Sequence, residues 1–172
     1  AWKQTKGGIR KVRPNQGKEL DYSTISIEQI FDYHKQVMDL SEENHCCFMW
    51  TIDKYLHEAE EEMKKLGYKL HARIIWDKEN GITPAFTVRY SHEYLLWFYK
   101  GKMQPISKEM RGKYTTVLRE KSTKHSKKPT IAYEMIESLY PNSKKIEMYA
   151  RQKRDGWDVW GNEVEDSIIL NN

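Results

Sequence analysis

Apolar positions recur every three or four residues in three segments of the chain. In several shorter segments they run continuously or alternate. Ser26 and Gln29 form a capping box ahead of Ile27, Ile30, Phe31, His34 and Met38, a spacing that predicts an amphipathic helix. Asp53 is placed to cap a second helix, whose apolar face is Leu56, Ala59, Met63 and Leu66 and whose end is Gly67. Pro129 suits the first position of a third helix, where its missing amide proton costs nothing. Ile131, Met135, Ile136 and Leu139 form the face of that helix, and Pro141-Asn142 stops it. Between these lie strand patterns. Cys46 to Thr51 is continuously apolar, as in a buried strand. Tyr68 to Trp76 alternates, Asp77 to Gly81 has turn chemistry, and Glu93 to Tyr99 is a further strand. A short strand is expected at Tyr114 to Leu118, another from Ile146 to Ala150, and a last one at Trp157 to Trp160. Residues 1–22, with Gly7-Gly8, Pro14-Asn15 and Gly17, read as a loop. Strands alternating with helices predict an α/β fold, with a mostly parallel sheet and helices on both faces.

Composition narrows the class. A chain of 172 residues is expected to form one domain, spanning 1–172, with a sizeable core. An apolar share of 38% and a charged share of 31% describe a soluble globular protein. No apolar run approaches a membrane span, so no membrane partner is expected. Cys46 and Cys47 are adjacent in an apolar run, which suits buried thiols in a reducing, cytoplasmic setting. His45, His57, His71 and His125 lack ligand spacing, and no metal is assigned.

The net charge of +4 hides a segregation. Residues 1–20 hold six basic and one acidic side chain, and residues 100–130 hold ten basic and two acidic. Such asymmetry points to an acidic partner. Lys6, Arg10, Lys11 and Arg13 in the first stretch, and Lys108, Arg111, Lys113, Arg119 and Lys121 in the second, are candidates for phosphate contacts.

Open α/β sheets bind ligands beyond the carboxyl ends of their strands. Here that edge carries Glu147, Arg151, Asn162 and Glu163, groups suited to ribose hydroxyls. Lys128 precedes a helix start, where positive charge and free amides favour an anionic group.

These residues also carry a resemblance. Lys128-Pro129, Met135-Ile136-Glu137, Glu147-x-Tyr149-Ala150-Arg151 and Gly156-Trp157-Asp158-x-Trp160-Gly161-Asn162-Glu163 resemble, in order and spacing, the C-terminal half of the N(6)-adenine methyltransferase family. That family includes the eukaryotic mRNA adenosine methyltransferase and bacterial and phage enzymes. Trp76-Asp77-Lys78, His92-Glu93 and Gly101-Lys102 fit its middle. The resemblance implies a Rossmann-like fold, S-adenosylmethionine as methyl donor, and adenine in nucleic acid as acceptor, DNA before RNA. It assigns Lys128, Glu147, Tyr149, Arg151, Asn162 and Glu163 to the cofactor. It places the two basic stretches on the walls of the substrate cleft. Partnered subunits occur in the eukaryotic branch, so a homo- or heterodimer is among the expected states.

Such enzymes carry an Asp-Pro-Pro-Trp-like tetrad after their first strand. This sequence opens Ala1-Trp2-Lys3, so Trp2 matches the aromatic that stacks on the target base and Ala1 the third position. The Asp and first Pro are not in the sequence. The chain as given is therefore expected to be a poor catalyst. Two further readings stay open: a non-catalytic nucleic-acid-binding or scaffold subunit, and the same chemistry on RNA. Arg151 is followed by Gln152-Lys153-Arg154, a departure from the His-Asn of the eukaryotic relatives.

Overall fold

A computed structural model describes residues 25–81, 88–123 and 127–171. The elements run α1 (Ile27–Leu40), β1 (His45–Thr51), a 3₁₀ turn (Asp53–Tyr55), α2 (Leu56–Lys65), β2 (Lys69–Asp77), β3 (His92–Lys100), a second 3₁₀ turn (Lys108–Met110), β4 (Val117–Arg119), α3 (Thr130–Leu139), β5 (Ile146–Met148) and β6 (Asp158–Trp160). The Ser26 hydroxyl accepts from the Gln29 amide at 3.2 Å, and the Gln29 side chain accepts from the Ser26 amide at 2.9 Å. The expected capping box therefore starts α1. Gly67 follows α2 at φ +85°, where an L side chain is strained. Asp53 does not cap α2. It opens the 3₁₀ turn, and neither that turn nor α2 has a side-chain cap.

β1, β3, β2 and β4 form one sheet in that order, and β5 and β6 form a separate pair. β3 lies antiparallel between β1 and β2, whereas β2–β4 and β5–β6 are parallel. The fold is α/β and Rossmann-like, but the expectation of a mostly parallel sheet is corrected for the described strands. A parallel return from β2 would need a crossover of a dozen or more residues, usually helical, and no described residue between Asp77 and His92 is helical.

Alternation along β1 and β3 divides the core between two faces. Cys46, Phe48 and Trp50 join Leu95 and Trp97 against Ala132, Met135 and Leu139 of α3. Cys47 and Met49 join Leu96 and Phe98 against Phe31 of α1 and Ala59 and Met63 of α2. Helices therefore cover both faces. In β2 the pairing register shifts between Leu70 and Ala72. The shift breaks the alternation, so Leu70 packs with the α2 side and Ala72 with the α3 side.

Strand direction sorts the loops into two edges. The ends of β1 and β2 and the start of β3 share one edge, with Thr51 opposite Tyr94 and Asp77 opposite His92. The start of β1 and the end of β3 share the other, with His45 opposite Lys100. These are called the carboxyl and amino edges below, after β1 and β2.

Candidate functional site

At the carboxyl edge, the start of β3 places Glu93 between two lysines. Its carboxylate accepts from Lys128 at 2.5 Å and from Lys78 at 2.5 Å. The three side chains are 13, 28 and 20% exposed. The Lys128 ammonium also stands 5.1 Å from the centre of the Trp50 ring, and the Lys78 ammonium 5.3 Å from that of Trp76. Burial pushes the Glu93 carboxyl up, but the hydrogen bonds and charges of Lys128 and Lys78 outweigh it, so the group titrates below its ordinary value.

Lys128 stands before α3, as expected, but the start of that helix is not free for an anion. Pro129 is the N-cap rather than the first helical residue, and it offers no side-chain cap. The Glu120 carboxylate reaches across instead, taking the amides of Thr130 at 2.8 Å and Ile131 at 2.9 Å. Trp76 donates its indole N–H to the Glu120 carbonyl at 2.7 Å, which fixes that segment. The charge available to an anionic ligand here is therefore the Lys128 ammonium, shared with Glu93, and not the helix amides.

A second polar group lies where β5 and β6 end. The parallel register pairs Met148 with Trp160, and Ala150 donates its amide to the Trp160 carbonyl at 2.9 Å. The strand ends close tightly at Gly161. A Cβ there would lie 2.3 Å from the Ala150 carbonyl oxygen and 2.6 Å from the Ala150 amide nitrogen, so only glycine fits. Beyond this junction Arg151 meets Glu163 at 3.1 Å, with Asn162 beside it in sequence. Tyr149 takes φ +62°, and its ring lies 5.4 Å from that of Trp160. Trp160 in turn lies 4.6 Å from Tyr33 of α1. Burial pushes the Tyr149 phenol up to about 12.

Glu147 faces α3. The Tyr133 hydroxyl donates to Glu147 Oε1 at 2.5 Å, and burial raises the Glu147 carboxyl above its ordinary value despite that bond and the Arg154 charge. Arg154 completes this face. It holds Glu137 through two bonds, of 2.5 and 2.8 Å, and stacks 4.9 Å from the centre of the Tyr133 ring. Trp157 donates to the same Glu137 at 2.8 Å. Arg154 thus serves the α3 contact, and Lys153 pairs with Glu165 at 2.8 Å. The two groups are one ammonium near an aromatic wall and, beyond two parallel strand ends, a carboxylate able to accept from hydroxyls. That donor set suits a ligand carrying a carboxylate at one end and a vicinal diol at the other. A shallow concavity of about 480 Å³ lies at the opposite end of β5, beside Glu137, Lys145 and Trp157, and includes none of the predicted cofactor residues.

The MT-A70 family model matches residues 8–163. The chain belongs to the MT-A70 family. Among curated relatives, this MT-A70 chain is 27% identical over 149 residues to the Type II methyltransferase M.MunI of Mycoplasma sp, covering 86% of this chain and 62% of that protein. It is 27% identical over 161 residues to the N(6)-adenosine-methyltransferase catalytic subunit METTL3 of Homo sapiens, covering 88% of this chain and 27% of that one. The chain therefore spans less than two thirds of the length of these relatives. A crystal structure of an M1.HpyAVI–SAM complex superposes with a TM-score of 0.57 at 19% identity, over 72% of this chain and 65% of that one, and supports the shared fold.

For this MT-A70 member, the structure places Tyr149, Arg151 and Glu163 beyond the ends of β5 and β6, whereas Glu147 is the middle residue of β5 and turns to α3. Lys128 stands at the start of α3, whose Tyr133 touches Glu147. Trp2, Lys6, Arg10, Lys11 and Arg13 lie outside the described residues. The second basic stretch is split between the edges. Arg119, 3.7 Å from Asp77, ends β4 at the carboxyl edge, and Lys121 follows it. Lys108, Arg111 and Lys113 are at the amino edge, where the Ser107 amide bonds the Leu139 carbonyl at the end of α3. β3 carries the chain away from the carboxyl edge before this loop begins, so these three side chains stand apart from Lys128. Among the described residues no group of three metal-ligating side chains converges, and no helix is long and apolar enough to cross a membrane.

Sequence reasoning missed Glu93 as the partner of Lys128, and Lys78 as the second cation on that carboxylate. The His92-Glu93 pair reads as a loop-to-strand junction, and Lys78 as the end of a turn. A carboxylate entering an otherwise apolar strand was the available signal for Glu93.

Proposed function

We propose that this MT-A70 protein transfers a methyl group from S-adenosylmethionine to the exocyclic N(6) amine of adenine in nucleic acid, with DNA as substrate in preference to RNA. The observation that carries the reading is the grouping of Tyr149, Arg151 and Glu163 beyond the carboxyl ends of parallel β5 and β6, with Glu147 of β5 bonded to Tyr133 of the helix that Lys128 precedes. The donor set fits the cofactor. The Lys128 ammonium holds the methionine carboxylate, with Glu93 keeping it aimed past the Trp50 ring. Glu163 accepts from the ribose hydroxyls, and Arg151 fixes its carboxylate. Asn162 lies beside them on the same strand end, and Gly161 lets the two strand ends approach closely enough to form one rim. Tyr149 walls that rim with Trp160.

When bound, S-adenosylmethionine supplies an electrophilic methyl group. The adenine amine is a weak nucleophile, because its lone pair is delocalised into the ring. The protein's contribution is then positioning and fixed dipoles rather than strong general base catalysis. The base must be unpaired or flipped from a duplex to reach such an edge. In this reading Trp2 stacks on it, and Arg119 and Lys121 contact phosphates beside it. The DNA preference rests on the likeness to the Type II methyltransferase M.MunI. A cytoplasmic setting in a bacterial or phage-infected cell and a homo- or heterodimeric state complete the proposal.

The test incubates the full-length protein with S-adenosylmethionine and adenine-containing DNA or RNA, then analyses the nucleosides by mass spectrometry. N(6)-methyladenine in the DNA reaction, at higher yield than in RNA, is the expected result. Methyl on another base, or on none, refutes the reaction; equal yields refute the DNA preference.

A further inference from the structure

Exposed cations without a carboxylate partner gather at the amino edge as well as at the proposed methyl-transfer edge. At the carboxyl edge, Lys78 and Lys128 share the single negative charge of Glu93, Arg119 sits beside Asp77, and Lys54, Lys121 and Lys127 are exposed. At the amino edge, Lys69, Lys102, Lys108, Arg111, Lys113 and Lys144 are all exposed. Among the described residues none of these six has a nitrogen within 4.0 Å of a carboxylate oxygen. They come from separate segments gathered by the fold: Lys69 opens β2, Lys102 follows β3, Lys108 to Lys113 lie in the loop docked on the end of α3, and Lys144 follows that helix. The backbone holds the group in place. Lys102 donates its amide to Asn44 Oδ1 at 2.6 Å, and Gln104 donates to the Asn44 carbonyl at 2.8 Å.

The negative end of the α3 dipole accounts for one or two nearby cations, because its influence fades within a helical turn. It does not account for six that extend to the start of β2. Glu42, Glu43 and Glu109 are exposed at the same edge and offset part of this charge; the remaining excess of like charge raises the free energy of the folded chain, and a polyanion relieves it.

We infer that the amino edge is a phosphate-backbone exosite, a second nucleic-acid contact on the opposite side of the sheet from the methyl-transfer edge. The inference rests on the proposed function for the identity of the polyanion. The seven residues of β1 separate the two edges by about 20 Å at about 3.4 Å per residue. A nucleic acid engaging both edges must therefore extend some six base steps at about 3.4 Å each. The exosite adds affinity and register but reads no base. It makes binding depend on substrate length.

The experiment uses the full-length protein and two probes, a 20-base-pair duplex and a trinucleotide, each containing adenine. The triple variant Lys108→Glu, Arg111→Glu, Lys113→Glu alters only exposed side chains, and unchanged S-adenosylmethionine binding verifies its fold. For the duplex, the slope of log affinity against log salt is expected to fall by about 2–3, which is about 0.9 for each phosphate no longer neutralised. Trinucleotide affinity is expected to stay as in the wild type. The pair Arg119→Glu, Lys121→Glu should weaken both probes. A triple variant that keeps the wild-type duplex slope, or that weakens the trinucleotide as much as the duplex, overturns the exosite while leaving the proposed function intact. A wild-type protein that binds neither probe overturns both.

Discussion

Replacing Glu93 with Gln tests the buried charge cluster behind Lys128. The substitution keeps the volume and leaves one acceptor oxygen, so one ammonium retains a neutral partner. The other loses a charge-assisted bond, which is worth about 1.5–3 kcal/mol. The two ammonium groups, no longer bridged, also repel each other. Both lysines can swing partly toward water, being 20 and 28% exposed, and this limits the penalty. A net destabilisation of about 2–3 kcal/mol is expected, well below the roughly 3–5 kcal/mol for breaking a fully buried pair. In a domain of this size that lowers Tm by about 4–12 °C. The pH dependence gives an independent check. The Glu93 carboxyl titrates below its unfolded value, so its contribution is fully present above that value and is lost as pH falls through the folded one. The gap between wild type and Glu93→Gln should be flat at neutral pH and close below the ordinary carboxyl value of 4.5. Urea unfolding followed by tryptophan fluorescence, repeated from pH 7 to pH 3, measures both. A gap under about 0.5 kcal/mol at neutral pH, against the roughly 1.5–3 kcal/mol expected for one charged hydrogen bond, or a gap that does not close in acid, refutes the reasoning.

Three other outcomes follow from the site. Lys128→Ala should weaken S-adenosylmethionine binding by about 1–3 kcal/mol in calorimetry, the scale of a charged hydrogen bond; a folded variant with wild-type affinity would remove Lys128 from the carboxylate contact. Glu147→Gln should raise Tm while lowering cofactor affinity. Burial holds the Glu147 carboxyl above its usual value, so wild-type stability is lost as pH rises through the folded value, and the advantage of Gln should grow from pH 4 to pH 8 in thermal melts. Gly161→Ala forces a Cβ against the Ala150 backbone and should cost about 1–3 kcal/mol or more, read by urea midpoint together with loss of cofactor binding; a neutral effect would mean that the strand ends are less tightly joined than described.

What could be read from the sequence was local. The capping box at Ser26, the glycine stop at Gly67 and the apolar runs of β1 and β3 depend on neighbours within a few residues, so pattern alone located them. The positions of Arg151 and Glu163 beyond apolar strands were legible for the same reason, whereas Glu147 is the middle residue of β5 and turns to α3. What failed was long-range. Glu120 caps α3 from ten residues away, where no capping motif reaches, and Pro129 does not stabilise the start it suggests. The partner of Lys128 is Glu93, 35 positions earlier. The place of the basic loop depends on the direction of β3, and an apolar run carries no information about strand direction, so pattern alone does not place Lys108 to Lys113 relative to Lys128. The charge count itself was correct, but the fold divides it.

The central claim is that the cofactor sits at the ends of β5 and β6 under Lys128. The most direct measurement is a titration of ¹⁵N-labelled protein with S-adenosylmethionine, followed by amide chemical shifts. The account predicts saturable shifts clustered at residues 148–151 and 160–164 and at the head of α3, with the amino edge and the concavity beside Glu137 and Trp157 silent. Shifts centred on that concavity, or none at millimolar cofactor, would contradict it.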